Sequence, residues 1–448
     1  MAVSFDRQAH KERIKWFEEA RLGMFIHWGL YSIPAKGEWC KSTLKISDAQ
    51  YQQYFEEFNP ANYNPLFWAH MAKEAGMRYA VLTAKHHDGF CLFDSELTDY
   101  KATNTPAGQD LVRAYADAFR RVGLKVGLYY SLIDWHHPHF PHYGDRHHPC
   151  RDNEDYKGYK YDFDKYLEYM HGQVRELCIN YGKLDILWFD FSYDDMKGEK
   201  WRAAELVDMV RSLQPDVLID SRLEPSDENS LLTETPNSYA GDFVNPEQLI
   251  PPNGIFDSAG NPVPWEACIT MNEHWGYCAN DQFYKPSSMI IKKLVECVSK
   301  GGNLLLNVGP DARGNLPMQS VRILKDLEYW MKANSASIYG CGPGAGCGPG
   351  AGCGPGASGI EKPDYGRVTR NGRKVYFHVM ENTVGPLPLT GLKREEIEKV
   401  RLLADGSELT IVDDWRTDIY KDAVFLHLSD NPDLPDKVDT VVEVTLKG

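Results

Sequence analysis

The chain has 448 residues, enough for one barrel plus an appendage or for two to three domains. With 42% hydrophobic and 25% charged residues, it has the composition of a globular protein with a large core. A net charge of −15 with no basic block argues against nucleic acid or an anionic membrane as the main partner. The opening stretch, residues 1–23, is polar and charged and lacks the apolar segment of a secretory leader. No run of 18 apolar residues follows it, so a cytoplasmic location is expected. Seven of the ten cysteines are scattered, which reads as reduced thiols and not as a disulfide framework.

Taken in chain order, apolar runs of strand length fall at 24–28, 79–86, 125–131, 184–190, 216–222, 266–271 and 303–308. Helical spacing of apolar residues fills 65–76, 110–123, 166–181, 200–213, 287–300 and 318–335. This alternation predicts an α/β fold, a (β/α)8-like barrel catalytic domain over residues 1–340. Residues 224–264 show no clear helix and are expected to form a long loop over the barrel mouth. Residues 341–358 repeat Cys-Gly-Pro-Gly-Ala-Gly almost three times, a composition that cannot pack, and are expected to be a linker. Its three cysteines have no His partner or CxxC spacing that would suggest metal. Strand signals then dominate, with Asn371-Gly372 as a hairpin cue and further runs at 399–403, 410–412, 423–428 and 440–446. They predict a small antiparallel β-sandwich over residues 359–448.

In a β/α barrel the C-terminal strand ends face the active site. Here they carry His27-Trp28, His86-His87-Asp88, Tyr129-Tyr130, Asp190, Asp220-Ser-Arg222, His274-Trp275 and Asn307. Polar and aromatic residues at successive strand ends are hard to explain as packing. The run Leu184-Asp-Ile-Leu-Trp-Phe-Asp190 is the most telling. A carboxylate closing an apolar strand beside an aromatic pair suits a glycosidase nucleophile. Imidazoles, Tyr and Arg can hydrogen-bond a polyol, and Trp28, Trp39, Trp188 and Trp275 could form an apolar wall. A second carboxylate is needed as general acid, with Glu38, Glu247 and Glu266 as candidates. Glu247 lies in the expected mouth loop, whereas Glu266 opens a strand and should point away from the mouth.

These motifs resemble those of α-L-fucosidases of glycoside hydrolase family 29. The matching segments are Met24-Phe-Ile-His-Trp-Gly-Leu-Tyr-Ser, Gly37-Glu-Trp, Ala84-Lys-His-His-Asp-Gly-Phe, Gly127-Leu-Tyr-Tyr-Ser, Leu187-Trp-Phe-Asp, Gly241-Asp-Phe with Pro246-Glu247, Trp275-Gly-Tyr and Asn303-Leu-Leu-Leu-Asn-Val-Gly-Pro. They follow the family's order from Met24 to Pro310. The resemblance implies a retaining exo-glycosidase acting on terminal α-L-fucosyl groups of glycans, with Asp190 as nucleophile and Glu247 as acid/base. It implies fucose contacts by His27, Glu38, Trp39, His86, His87, Tyr129, Trp188, Arg222 and Trp275. It implies no cofactor and no catalytic metal. The repeated Cys-Gly-Pro-Gly-Ala unit departs from the family and lies outside the site motifs. Burial against aromatic groups is expected to raise the Glu247 pKa, and Arg or His donors to lower that of Asp190.

Two other readings compete. A metal-dependent barrel hydrolase is suggested by fifteen histidines, among them His136, His137, His139, His142, His147 and His148 in one segment. That segment also holds Pro138, Pro141 and Pro149 and reads as an irregular loop, and strand one ends in His27-Trp-Gly where a His-x-His pair would be needed. A non-catalytic fucose-binding protein would keep the pocket, but both carboxylates are present. The glycone motifs do not specify the fucosyl linkage, and the sequence leaves the oligomeric state open.

Overall fold

The computed structural model describes residues 5–346, 359–431 and 433–448. Seven parallel strands form one sheet: β1 (Leu22–Ile26), β2 (Tyr79–Lys85), β3 (Lys125–Ser131), β4 (Ile186–Asp190), β5 (Leu218–Ile219), β6 (Glu266–Thr270) and β7 (Asn303–Val308). Their order is β5-β4-β3-β2-β1-β7-β6. Apart from Lys125, every residue of these strands is buried, because both faces are covered. The helices of the barrel domain are α1 (Arg7–Ala20), α2 (Cys40–Thr43), α3 (Asp48–Glu57), α4 (Pro65–Glu74), α5 (Leu111–Arg121), α6 (Phe163–Asn180), α7 (Ala203–Leu213), α8 (Ser287–Ser299) and α9 (Met318–Asn334). Asp110 and Asp162 accept backbone N–H groups at the starts of α5 and α6, which is why those helices begin there. The amphipathic runs read from sequence all appear, and α1, α2 and α3 add to them.

The side chains on the two faces of the sheet sort into two cores. Phe25, Tyr79, Val81, Tyr129, Ile186, Trp188, Leu218, Cys268 and Leu305 point into the barrel. Their neighbours, such as Met24, Ala80, Leu128, Leu187 and Leu306, pack outward with the helices. Helix α1 contributes Phe17 to the inner core, with its ring 5.6 Å from Tyr79 and 4.5 Å from Phe243.

The gap between β5 and β6 is closed by residues 242–248, a segment expected from sequence to belong to the mouth loop. Asp242 N–H donates to Ile219 O at 2.6 Å, Glu266 N–H to Val244 O at 2.9 Å, and Cys268 N–H to Pro246 O at 3.0 Å. Parallel bridges join Asp220 to Phe243, Val244 to Trp265 and Glu247 to Cys268. The segment thus occupies the eighth strand position. Its polar residues and Pro246 give no strand signal, since proline lacks a ladder donor. Asp242 anchors it: the buried carboxylate accepts from Ile219 N–H at 2.8 Å and pairs with Arg13 at 2.9 Å and Arg211 at 2.6 Å. Two cations and a backbone donor compensate its burial.

Beyond the barrel, β8 (Gly342–Pro343), β9 (Gly366–Asn371), β10 (Lys374–Val379), β11 (Leu387–Thr390), β12 (Ile397–Leu402), β13 (Thr410–Val412), β14 (Ala423–His427) and β15 (Thr440–Leu446) build two antiparallel sheets. The larger is ordered β12-β15-β10-β9-β8 and the smaller β11-β14-β13. They share a core of Val368, Val375, Phe377, Leu389, Leu426, Val442 and Val444. The expected linker is already part of this unit at its start, where Gly342 pairs with Arg370 of β9. Its later repeats, residues 347–358, lie outside the described residues. Among the described residues, no helix is long and apolar enough to cross a membrane.

Candidate active site

The strand ends converge as expected on one cavity at the C-terminal face of the barrel. His27, His86, His87, Tyr129, Trp188, Asp190, Arg222, Glu247, Trp275 and Trp39 all line it, together with Phe25, Phe191 and Cys268. The last three went unremarked in the sequence. Phe25 and Cys268 stand two residues from His27 and Glu266 on inward-facing strand positions, so the period of two was the signal that could have found them.

Asp190 ends β4 with both carboxylate oxygens engaged. Tyr129 OH donates to Oδ2 at 2.7 Å, and Arg222 Nη1 donates to Oδ1 at 2.9 Å. The other amino group of Arg222 donates to Glu247 Oε2 at 2.8 Å, so one planar guanidinium spans both carboxylates. The guanidinium carbon also lies 4.6 Å from the centre of the Trp188 ring. Asp190 departs from expectation in its acidity. Burial raises its pKa, Arg222 opposes that, and the Glu247 charge adds to it, for a net upward shift. Glu247 differs too. Its side chain is 43% exposed and ion-paired with Arg222, not buried against aromatic groups.

The three imidazoles are buried and neutral. Burial pulls His27 down to about 3, and pulls His86 and His87 well below the usual range. The tautomers follow from the partners. Asn307 Nδ2 donates to Trp275 O at 2.7 Å, which turns its Oδ1 toward His27 Nδ1 at 2.7 Å. His27 therefore donates through Nδ1 and offers Nε2 as an acceptor. Ser131 donates its hydroxyl to Ile133 O, so His87 Nδ1 donates to Ser131 Oγ at 2.8 Å. Its Nε2, 3.9 Å from Asp190 Oδ2, is left as an acceptor. Such a set suits the hydroxyls of a neutral sugar.

Trp28, Glu38 and Glu266 stand outside the cavity lining, Glu266 as its place at the start of a strand leads one to expect. Trp28 packs outward against Phe58, Tyr63 and Trp68 and donates to Asp311 O at 2.9 Å, so it is no part of the wall. The inner wall is Phe25, Trp188 and Trp275 instead. Glu38 is buried behind the cavity lining, where its Oε2 accepts from Gly276 N–H at 2.7 Å and so braces the Trp275-Gly276 turn. Glu266 lies at the closed end of the barrel interior, bonded to Tyr79 and, at 3.4 Å, to Trp188 Nε1. Burial pushes its pKa up to about 7. Among the described residues, no cluster of three or more His, Cys, Asp or Glu could hold a metal ion.

The family model for Alpha-L-fucosidase matches residues 2–336. The chain is 55% identical to α-L-fucosidase isoenzyme 1 from Paenibacillus thiaminolyticus, with a TM-score of 0.92 over 98% of this chain and 100% of that one. A family 29 α-L-fucosidase from Bacteroides thetaiotaomicron, trapped as a covalent intermediate using 2-fluoro-fucosyl fluoride, is 27% identical, with a TM-score of 0.79 over 98% of this chain and 96% of that one. Human plasma α-L-fucosidase is 29% identical over 348 residues, 72% of this chain and 68% of its own. The matched family model, the barrel and the convergent strand ends together place this chain in the α-L-fucosidase family, glycoside hydrolase family 29.

Proposed function

We propose that this protein is a retaining exo-α-L-fucosidase that removes terminal α-L-fucosyl groups from glycans. The observation that carries this reading is the Arg222 guanidinium joined at once to Asp190 and Glu247, at 2.9 and 2.8 Å. Two carboxylates held by one fork at a barrel mouth suit a double displacement. Asp190 attacks the anomeric carbon while Glu247 gives its proton to the departing oxygen, so the glycosidic bond breaks as the ester to Asp190 forms. Glu247 then takes a proton from water, the water oxygen attacks the same carbon, and Asp190 leaves as carboxylate. Two inversions restore the starting configuration.

The neutral imidazoles of His27 and His87 accept from ring hydroxyls, and Trp275 and Phe25 cover the apolar side that carries the fucose methyl. A methyl contact contributes only about 1 kcal/mol, so the hydrogen bonds carry most of the sugar selectivity.

The test is nitrophenol release from an aryl α-L-fucoside by wild type, Asp190→Gly and Glu247→Ala. Turnover lost in both variants, with azide rescue yielding fucosyl azide, is the expected result. Full activity in Asp190→Gly with an intact fold would refute the nucleophile assignment.

A further inference from the structure

Strand β2 is irregular just before the two adjacent cavity histidines. Against β3 its register pairs Val81 with Gly127, Leu82 with Leu128 and Thr83 with Tyr129, then jumps to Lys85 opposite Tyr130. Ala84 is thus an extra residue, a β-bulge that reverses the alternation of the side chains after it. Before the bulge, Tyr79 and Val81 face the barrel interior while Ala80 and Leu82 face the helices. Unbroken alternation would carry Lys85 into the interior and His86 out of it. Instead Lys85 lies on the helix side, with its Nζ 4.5 Å from the centre of the Tyr130 ring. The hydroxyl of that tyrosine donates to Gln173 of α6 at 2.8 Å. His86 turns inward, its ring stacked 5.5 Å from Tyr129, and His87 follows it into the cavity lining.

A lysine whose side chain is 0% exposed needs a partner. Lys85 Nζ donates to the equally buried Asp134 Oδ2 at 3.1 Å. The other oxygen of Asp134 accepts the His136 and His137 N–H groups, each at 2.9 Å. Between them in the chain, Trp135 N–H donates to His87 O at 2.8 Å. A Cβ on Gly89 would stand 2.3 Å from Asp134 Oδ1, so the turn at 86–89 packs directly on this carboxylate. Apolar residues in place of a buried ion pair are often neutral for stability, and fixing a register is the best-attested use of buried polar groups. We propose that the Lys85–Asp134 pair is a positioning device: it pins the Ala84 bulge and so aims the imidazoles of both His86 and His87 at the sugar hydroxyls. The proposal rests on the fucosidase reading above and adds two residues that touch no substrate.

The test measures kcat/KM on an aryl α-L-fucoside for Lys85→Met/Asp134→Asn, once in wild type and once in a His86→Ala/His87→Ala background. The paired change leaves no lone charge buried, and the asparagine oxygen still accepts the two N–H groups, so the fold is retained by circular dichroism. Asp134→Asn alone, which weakens the pair without removing either side chain, is the second variant. The expected result is a loss of roughly tenfold to a hundredfold in the wild-type background and less than about threefold where both imidazoles are already gone. A pair that only stabilises the fold lowers activity by the same factor in both backgrounds. That result overturns the positioning role and leaves the fucosidase reading standing, as do variants as active as wild type. Wild type inert on the fucoside overturns the fucosidase reading and the positioning role with it.

Discussion

Asp190 is bound to Arg222 at 2.9 Å through Oδ1 and Nη1, and the second amino group of that guanidinium is already committed to Glu247 at 2.8 Å. Neither contact can be strengthened without moving the other. The fork couples the nucleophile to the acid/base and supplies charge where Asp190 is most desolvated. Lysine offers one point charge and cannot span both carboxylates. Arg222→Lys should lower kcat/KM on an aryl fucoside by roughly 10²- to 10³-fold, with the fold retained by circular dichroism. Near-wild-type activity would show that the bridge is incidental.

Tyr129 offers a cleaner view of the nucleophile's ionisation. Its hydroxyl donates to Asp190 Oδ2 at 2.7 Å and lowers the aspartate's pKa against the burial that raises it. Only ionised Asp190 can attack. Removing the donor raises its pKa further, so the acidic limb of the kcat/KM profile should move to higher pH in Tyr129→Phe. Activity at pH 5 then falls more than activity at pH 7. A limb that stays put, or moves to lower pH, would place the controlling ionisation elsewhere.

Glu266 makes a stability prediction. Its pKa rises from its ordinary 4.5 to about 7 on burial. Below 4.5 the carboxyl is protonated in the folded and unfolded chain alike. Between 4.5 and 7 the unfolded chain releases that proton while the folded protein keeps it, so stability falls as pH rises. The full effect is roughly 3 kcal/mol. Glu266→Gln cannot titrate. Its urea midpoint should therefore decline less between pH 4.5 and 7 than that of wild type. Parallel profiles for the two proteins would mean the residue is ionised in the fold.

Gly241 tests the barrel closure. A Cβ placed there would sit 2.3 Å from Asp220 O and 2.6 Å from Ser221 Cα, both backbone atoms that cannot step aside. Gly241→Ala should push residues 242–248 away from β5 and cost roughly 2 kcal/mol or more. It should also lower kcat, because Glu247 rides on that segment. Stability lost with kcat unchanged would separate the closure from the acid/base.

Much of the barrel was legible because its signals are local. Strands buried on both faces read as continuous apolar runs, and the helices between them show the spacing of one buried face and their capping aspartates. Asp190 stood out because a carboxylate at the end of such a run has no packing reason to be there. Residues 242–248 did not stand out. Their pairing with Ile219 and Cys268 is made through backbone groups of residues far away in the chain, and Asp242, Asn245 and Pro246 break any apolar pattern.

Sequence alone therefore determined seven of the barrel's strands and the helices between them, the family resemblance, and which polar side chains the strand ends would present. Those depend on periodicity and on residue chemistry carried by each position. Tertiary structure decided what each residue faces. It turned Trp28 outward, set Glu38 behind the cavity, placed Glu247 in solvent reach on a closing strand, and let burial outweigh Arg222 at Asp190. The reason is physical: orientation and acidity depend on the summed packing and dielectric of many distant neighbours, and no short stretch of chain encodes them.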